Sequence, residues 1–201
     1  MSVPSSVLTL EGWCPEDKTN RLFNFVKEVK PQLIVEFGVF GGRSFIPMAL
    51  GLKEIGNNSN IIGIDPWSNS ASIDNYDPED ANYKWWNSLN HEVIFQGFLK
   101  ALKDYDVEKY SKYIRKRSNE LSNEFEDESI DILHQDGNHT ENISSEEVLT
   151  FYNKVKHGGY WIMDDTNWET TKKAQELIIS LGFELIEDYN AWKIYKRLLK
   201  C

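Results

Sequence analysis

The sequence predicts an α/β protein with a Rossmann-like, mostly parallel seven-stranded sheet, helices on both faces and a C-terminal antiparallel hairpin. Three observations support this fold class. Short apolar runs alternate with apolar patterns of helical period five times along the chain. The first run, residues 33–37, ends in three glycines within five positions and leads directly into a helix. Two more strands follow the last helix, joined by a turn-prone linker at 188–190.

Length, composition and charge limit what kind of protein this is. With 201 residues, 40% of them hydrophobic, the chain is expected to form a single domain over residues 1–201. The net charge of −10 argues against a nucleic-acid partner and against an acidic membrane surface. No basic leader is present and no run approaches the roughly 18 apolar residues of a membrane span, so a cytoplasmic protein is expected. The spacing of Cys14 and Cys201 suggests neither a disulfide framework nor a zinc site.

The first third of the chain is predicted to be a helix followed by a β-α-β unit. Apolar residues recur at helical spacing over 22–29, and Pro31 ends that pattern. The strand at 33–37, the glycine turn and a helix over 44–55 follow, and residues 61–65 form a second buried strand. This order implies two parallel strands joined by a right-handed crossover.

The rest of the chain alternates helices and strands after a long polar segment. Residues 68–83 are rich in Ser, Asn and Asp without an apolar period, which predicts a surface loop, and we interpret 68–84 as a lid. The apolar spacing from Val148 to Val155 predicts a helix that ends at the His-Gly-Gly of 157–159. The other predicted elements are helices around 93–102 and 171–181 and strands at 110–117, 129–136, 160–165, 183–187 and 192–195.

The glycine turn after the first strand predicts a ligand site. Such a turn places backbone N–H groups and a helix N-terminus at the carboxyl end of the sheet, where an anionic or nucleotide-like ligand can bind. We interpret the glycines as positions where a side chain would block that approach, although glycine also serves any sharp connection of this kind. The dinucleotide pattern G-x-G-x-x-G fails here, because Phe40 and Arg43 stand at the third and sixth places counted from Gly38.

Four carboxylates follow predicted strands, at the edge where open α/β sheets bind ligands. Asp65 suits a contact with ribose hydroxyl groups. Asp136, Asp164 and Asp165 are expected to converge, and three carboxylate pairs would repel by about 12 kcal/mol in total at about 4 Å and an effective dielectric constant of about 20. Proton sharing or a divalent cation such as Mg²⁺ would relieve this repulsion. The alternative is that one or more of these residues caps a helix.

These residues together resemble class I S-adenosylmethionine-dependent methyltransferases, and more narrowly the metal-dependent small-molecule O-methyltransferases of the catechol and macrocin types. The resemblance covers roughly residues 20–197. Residues 36–44 are similar to the first motif of that family, 64–65 to the second, 134–139 to its Asp-Gly-Asp-His stretch and 158–165 to its final metal-binding strand. The resemblance implies cofactor contacts at Glu36, Gly38, Phe40, Gly42, Ser44, Asp65, Trp67, Ser118 and Asn119. Ser44 stands where such enzymes hold the methionine carboxylate, and Ser118 and Asn119 where they contact the adenine. It also implies Mg²⁺ ligands at Asp136, Asp164 and Asp165.

Two residues after Asp136 bear on the general base. Asn138 stands where macrocin-type enzymes carry an Asp, and an Asn cannot accept a proton at neutral pH. Catechol-type enzymes use a Lys three residues after the metal-binding Asp, and His139 has that spacing here, so His139 is the predicted base. In the alternative, Asn138 and Glu141 form a capping box, and His139 is merely exposed in the first turn of the next helix.

The function implied by the resemblance is methylation of a hydroxyl group on a small metabolite of the sugar or phenol type, with S-adenosylmethionine and Mg²⁺ as cofactors. Trp67 would pack on the adenine and Trp85 or Trp86 on an acceptor ring, with core or lid packing as the alternative for each. A non-catalytic S-adenosylmethionine-binding regulatory module, an NAD-dependent oxidoreductase and an oxygenase of the cephalosporin-hydroxylase type stay open. The sequence identifies neither the methyl acceptor nor the oligomeric state, and a homo-oligomer is left open.

Overall fold

Seven strands form one sheet in the computed structural model, which describes residues 3–56 and 58–199. The strands are β1 Leu33–Phe37, β2 Asn60–Ile64, β3 Ser111–Ile114, β4 Ile130–Gln135, β5 Val155–Asp164, β6 Phe183–Asp188 and β7 Trp192–Arg197. Their order across the sheet is β3-β2-β1-β4-β5-β7-β6. Strands β1 to β5 pair in parallel, and β7 runs antiparallel between β5 and β6. The predicted fold class, including the C-terminal hairpin, is confirmed.

Helices cover both faces of the sheet. They are α1 Glu16–Val29, α2 Phe45–Ile55, α3 Asn69–Ser72, α4 Ala81–Ser88, α5 His91–Asp104, α6 Glu141–Phe151 and α7 Lys172–Ser180. Apolar residues of α1, α2 and α5 pack on one face, and those of α6 and α7 pack on the other. Within the described ranges, no helix is long and apolar enough to cross a membrane. Cys201 lies outside these ranges.

The alternation of side chains along the strands places polar groups at one edge of the sheet. One isoleucine each of β1, β4 and β5 packs in the core under α1 and α2. The residue two positions later in each strand points to the same face, and it is polar in every case: Glu36, His134 and Asp164. The apolar face therefore ends in a row of titratable groups at the carboxyl ends of the strands.

Three predicted elements differ from the structure, and one of them is the strand predicted at 110–117, since β3 ends at Ile114. The segment 68–83, predicted as a loop, contains α3 and the start of α4, and α4 begins where Asp80 accepts a hydrogen bond from the backbone N–H of Asn82. Val155, predicted in a helix, belongs to β5, which begins five residues earlier than predicted. Gly158 has a φ of +80° inside this strand, so the glycines mark an irregularity of β5 and not the end of a helix.

Candidate active site

A cavity of about 790 Å³ opens at the carboxyl ends of the parallel strands. Small-molecule sites commonly enclose about 300–1,000 Å³, so this volume suits a cofactor with a small substrate. Ten of the predicted site residues line its wall: Gly38, Phe40, Ser44, Asp65, Ser118, Asn119, Asp136, His139, Asp164 and Asp165. Glu36, Gly42 and Trp67 are not part of the wall. The fold thus gathers the glycine turn and the strand-end carboxylates around one space.

The glycine turn brings the end of β1 very close to the segment after β4. Gly38 has a φ of +78°, and a Cβ atom there would lie 2.0 Å from the backbone oxygen of Asp136. At Gly42 a Cβ atom would lie 2.8 Å from the ring of Phe98. The chain's own packing is therefore sufficient to require these two glycines, and the approach of a ligand to them stays a prediction.

Asp65 follows β2 and holds the glycine turn in place. Its Oδ2 accepts a hydrogen bond from the backbone N–H of Phe40 at 2.9 Å, and its Oδ1 accepts one from that of Trp67 at 2.6 Å. Burial raises the pKa of the Asp65 carboxyl, although these donors act to lower it. Because a carboxylate offers about four lone-pair positions, it retains capacity for ribose hydroxyl groups. The ribose contact itself stays a prediction.

Glu36 lies behind the cavity wall and organises two neighbours. Its Oε1 accepts a hydrogen bond from the Ser44 hydroxyl at 2.6 Å and lies 2.8 Å from Nδ1 of His134. Its Oε2 is buried and has no hydrogen-bond partner within residues 3–56 and 58–199. The Ser44 hydroxyl proton is therefore committed to Glu36, so the predicted role of Ser44 in holding the methionine carboxylate would require a change of partner.

Trp67 is a core residue, and its predicted packing on the adenine is wrong. Only 3% of the residue is exposed. Its ring centroid lies 4.7 Å from that of Phe95 and 5.5 Å from that of Phe98, and Nε1 donates to the Phe40 carbonyl at 2.9 Å. The indole thus supports the glycine turn from below, which agrees with the alternative of core packing.

Ser118 and Asn119, predicted at the adenine end of the site, both bond to α6. The Ser118 hydroxyl donates to Oε1 of Glu147 at 2.6 Å, and the Asn119 amide donates to Oε2 of Glu146 at 3.3 Å. Gln135 donates to the other oxygen of Glu147 at 2.8 Å. Burial raises the pKa of the Glu147 carboxyl to about 7. Glu147 is a wall residue that the sequence did not single out.

The raised pKa of Glu147 predicts a pH-dependent stability. The folded state binds a proton here that the unfolded chain has released, so this carboxyl lowers the free energy of unfolding as pH rises from about 4.5 to 7, by up to about 3 kcal/mol. Glu147→Gln removes the titration, so the variant should gain stability relative to wild type between pH 5 and pH 8. Denaturant unfolding at both pH values measures the change. Glu146→Gln, on the exposed side of α6, is the control and should keep the pH dependence of the wild type. A gain in stability in Glu146→Gln equal to that of Glu147→Gln would contradict the prediction.

Lys18 of α1 supplies a positive charge that the sequence interpretation missed. Its Nζ lies 2.6 Å from Oδ2 of Asp164 and 3.8 Å from Oδ2 of Asp136, and only 2% of the side chain is exposed. The ring centroid of Trp192 lies 5.7 Å from the same ammonium group. No local signal marks this lysine, because it follows two acidic residues in a stretch typical of a solvated helix face.

The two carboxyl groups beside Lys18 differ in charge. Burial, with the negative charge of Asp164, raises the pKa of Asp136 well above its ordinary value. Burial also acts to raise the pKa of Asp164, but the Lys18 ammonium, together with His134 and Asp136, holds that pKa below its ordinary value. For Lys18 itself, burial acts to lower the pKa, and the two carboxylates raise it above the usual value. Asp136 is therefore the more easily protonated of the two carboxyl groups, while Asp164 pairs with Lys18.

His134 is a further buried group that the sequence interpretation missed. Its Nε2 has no hydrogen-bond partner among the described residues, and one ligand atom each of His134, Asp136 and Asp164 lie within 4.8 Å of one another. A polar residue inside the apolar run of β4, in register with Glu36 of β1, was the signal that could have identified it.

This group fits the predicted Mg²⁺ site poorly. Asp165 does not belong to it, and the third available ligand is an imidazole, whereas Mg²⁺ prefers oxygen ligands in octahedral geometry. The ammonium of Lys18 already contacts the oxygen atoms that would bind the ion. Binding of Mg²⁺ by Asp136, Asp164 and Asp165 stays a prediction, and the geometry disfavours it.

His139 lies against Asp165 on the cavity wall. Its Nε2 is 3.0 Å from Oδ2 of Asp165 and 3.7 Å from Oδ1 of Asp136, and 14% of its side chain is exposed. Burial acts to lower the pKa of His139, but the bond to Asp165 and the surrounding carboxylates raise it above the ordinary value. The imidazole is thus oriented by a carboxylate and open to the cavity, as a proton acceptor requires.

The capping-box alternative for this segment is not formed. Thr140 is the N-cap of α6, and the Glu141 carboxylate pairs with Lys173 at 3.1 Å. Asn138 accepts a hydrogen bond from the backbone N–H of Thr140 at 2.9 Å and donates to the backbone oxygen of Asp74 at 3.0 Å. Asn138 therefore ties the segment between α3 and α4 to the loop that carries His139.

The segment predicted as a lid covers part of the cavity. Tyr76 and Asn82 of this region lie on the cavity wall. An aromatic cluster formed by Trp13, Phe40, Trp85 and Trp86 has neighbouring ring centroids 4.8 to 6.5 Å apart. Trp13 is 65% exposed, so the cluster presents aromatic surface beside the cavity. Opening and closing of this segment stays a prediction.

The sheet order, the glycine turn and the cavity at the carboxyl edge define a class I methyltransferase fold. Residues 35–166 match a protein family described as a methyltransferase domain. The chain belongs to this family, and the predicted class, an S-adenosylmethionine-dependent methyltransferase, is confirmed. None of the curated protein sequences matches the chain significantly.

Solved structures of methyltransferases share the fold at low sequence identity. The S-adenosylhomocysteine-bound methyltransferase PaMTH1 of Podospora anserina superposes with a TM-score of 0.67 and 12% identity, covering 100% of this chain and 90% of its own. The O-methyltransferase NovP superposes with a TM-score of 0.68 and 16% identity, covering 90% of this chain and 79% of its own. TomG of Streptomyces achromogenes is an O-methyltransferase in complex with S-adenosylmethionine. It superposes with a TM-score of 0.62 and 11% identity, covering 92% of this chain and 81% of its own. At these identities the likeness supports the fold alone.

Proposed function

We propose that this protein transfers the methyl group of S-adenosylmethionine to a hydroxyl group of a small acceptor of the sugar or phenol type. One observation carries the proposal: a single cavity has the glycine turn and Asp65 on one side and His139 with the strand-end carboxylates on the other. The similarity in fold to NovP and TomG, both described as O-methyltransferases, supports the choice of oxygen as the acceptor atom.

His139 would accept the proton of the acceptor hydroxyl. When its Nε2–H is donated to Asp165, the neutral imidazole keeps its lone pair on Nδ1, which makes Nδ1 the basic atom. The acceptor oxygen then bonds to the methyl carbon as the carbon–sulfur bond breaks, and the electron pair of that bond neutralises the sulfonium. The products are a methyl ether, S-adenosylhomocysteine and a proton on His139. Holding the two reacting atoms at about 3–3.5 Å in line is the main contribution of the cavity.

The charge of the cavity suits a cationic cofactor. The sulfonium of S-adenosylmethionine is positive, and the cavity wall carries more Asp and Glu than Lys and Arg side chains, even with Asp164 paired to Lys18. The aromatic cluster of Trp13, Phe40, Trp85 and Trp86 offers ring faces on which a sugar or phenol ring can stack. The Mg²⁺ ion predicted from the sequence is not part of this proposal, because the carboxylates that would hold it already contact an ammonium group.

Calorimetry with purified protein tests the proposal. S-adenosylmethionine and S-adenosylhomocysteine should each bind, and NAD should not. Asp65→Ala should weaken binding of S-adenosylhomocysteine by about tenfold or more, since each hydrogen bond to a charged group contributes about 1.5–3 kcal/mol. Thermal unfolding of the variant controls for its structural role. Binding of NAD without binding of either sulfur compound would favour an oxidoreductase, and binding of both with no transfer to any hydroxylated acceptor would favour a regulatory module.

A further inference from the structure

Lys18 occupies a place that its position in the sequence does not predict. It belongs to α1, 146 residues away from Asp164, yet its ammonium group bonds to that carboxylate at 2.6 Å. The side chain passes beside the ring of Trp192 and ends in the cavity wall. An almost fully buried lysine is costly unless its charge is paired, so the contact with two carboxyl groups determines where this side chain lies.

The ammonium and a divalent cation would compete for the same oxygen atoms. A Mg²⁺ ion binds carboxylate oxygens at about 2.0–2.1 Å, and Oδ2 of Asp164 already accepts a hydrogen bond from Lys18. Two carboxylates match the charge of one divalent cation, but with Lys18 in place at most one negative charge remains uncompensated. The third carboxylate that a metal site would need, Asp165, is turned towards His139 at 3.0 Å. Position and charge both disfavour the ion.

We propose that the ammonium group of Lys18 replaces the divalent cation in this active site, so that methyl transfer by this chain does not require a metal ion. This inference rests on the proposed function. Lys18 would hold Asp136 and Asp164 in place and provide positive potential where the acceptor oxygen becomes negative. Its own proton is not transferred, because the proton of the acceptor hydroxyl goes to His139.

Metal binding by wild-type protein and by Lys18→Ala provides the test. After treatment with EDTA and its removal, each protein is titrated with MgCl₂ and MnCl₂ by calorimetry and by thermal unfolding. Wild type should show neither binding nor a shift in melting temperature. Lys18→Ala, whose acidic group is no longer compensated, should bind one Mn²⁺ per chain at least tenfold more tightly than wild type and should be stabilised by it.

Lys156→Ala is the matched control. Lys156 bonds to Asp131 at the same 2.6 Å, and both residues lie on β5 and β4 at the edge of the sheet opposite to the cavity. Removing that ammonium group should not create a metal site, since His134, Asp136 and Asp164 keep their compensation. Mn²⁺ binding by Lys156→Ala equal to that of Lys18→Ala would overturn the inference.

Binding of S-adenosylhomocysteine to wild type in EDTA separates this inference from the proposed function. If it does not bind with or without metal, the proposed function fails and this inference fails with it. If it binds, but wild type also takes up one Mg²⁺ or Mn²⁺ per chain as tightly as Lys18→Ala, only the role of Lys18 is overturned. Should Lys18→Ala not fold, the wild-type titration decides alone: no metal uptake supports the inference and uptake of one ion overturns it.

Discussion

Replacing His139 by alanine is expected to lower turnover by about 10² to 10⁴ while the binding of S-adenosylhomocysteine stays intact. The reason is geometric: the imidazole is held by Asp165 at 3.0 Å on the cavity wall, so its loss removes the proton acceptor without disturbing the glycine turn. Rates with an identified acceptor, together with calorimetry of the product cofactor, measure the two effects separately. A loss of turnover of less than about tenfold would show that His139 is not the base and that the acceptor itself or water takes up the proton.

The pH dependence of turnover gives a second measure of the same role. Only the neutral imidazole accepts a proton, and Asp165 raises the pKa of His139 above 6.5, so turnover should rise with pH through a midpoint above that value. Asp165→Asn should lower turnover strongly, because an amide can no longer enforce the tautomer with the proton on Nε2. Unchanged turnover and an unchanged midpoint in Asp165→Asn would contradict the orienting role of this carboxylate.

Gly38→Ala is expected to destabilise the protein by about 2 to 5 kcal/mol, the sum of the cost of a left-handed φ and of overpacking. The added Cβ would lie 2.0 Å from the backbone oxygen of Asp136, so β1 and the segment after β4 would have to separate. Denaturant unfolding measures the loss. Binding of S-adenosylhomocysteine should also weaken, since Asp136 and the turn belong to the same wall.

Gly97→Ala is the control for this substitution. Gly97 lies inside α5, and a Cβ atom there would have no neighbour within 4 Å. Alanine should therefore stabilise the protein by about 0.5–1 kcal/mol through its helix propensity. Equal effects of the two substitutions would show that the close approach at Gly38 is not a constraint.

The strands were predictable because their cores are short apolar runs with clear breaks. The predicted 61–65 and 129–136 lie within one residue of β2 and β4 at each end. The start of β5 was not predictable, since Val155 continues the helical spacing of Val148 and Phe151 and the following glycines resemble a helix stop. Whether a glycine ends a helix or bends a strand depends on the partner strand, which local spacing does not reveal.

The site was predictable where it follows the strand ends and not where distant segments meet. Asp136, Asp164 and His139 come together because parallel strands end at one edge, a rule that operates on sequence order alone. The contact of Lys18 with Asp164 depends on how α1 packs on the sheet. Likewise, Asp165 contacts His139 at 3.0 Å from a backbone with a φ of +48°. Neither the packing of α1 nor this backbone conformation has a sequence pattern of its own.

Trp13, Lys18 and Trp192 border the cavity from outside residues 35–166, the part that matches the methyltransferase family. The predicted cofactor contacts from Gly38 to Asp65 lie inside that part. Under the proposed function, changes in the flanking segments are therefore expected to alter the choice of acceptor more than the binding of the methyl donor. A chimera that keeps residues 35–166 and exchanges both flanks with those of a relative is the direct route to a new acceptor preference. The rest of the aromatic surface proposed for the acceptor, formed by Phe40, Trp85 and Trp86, lies inside the matched part and would stay unchanged in such a chimera.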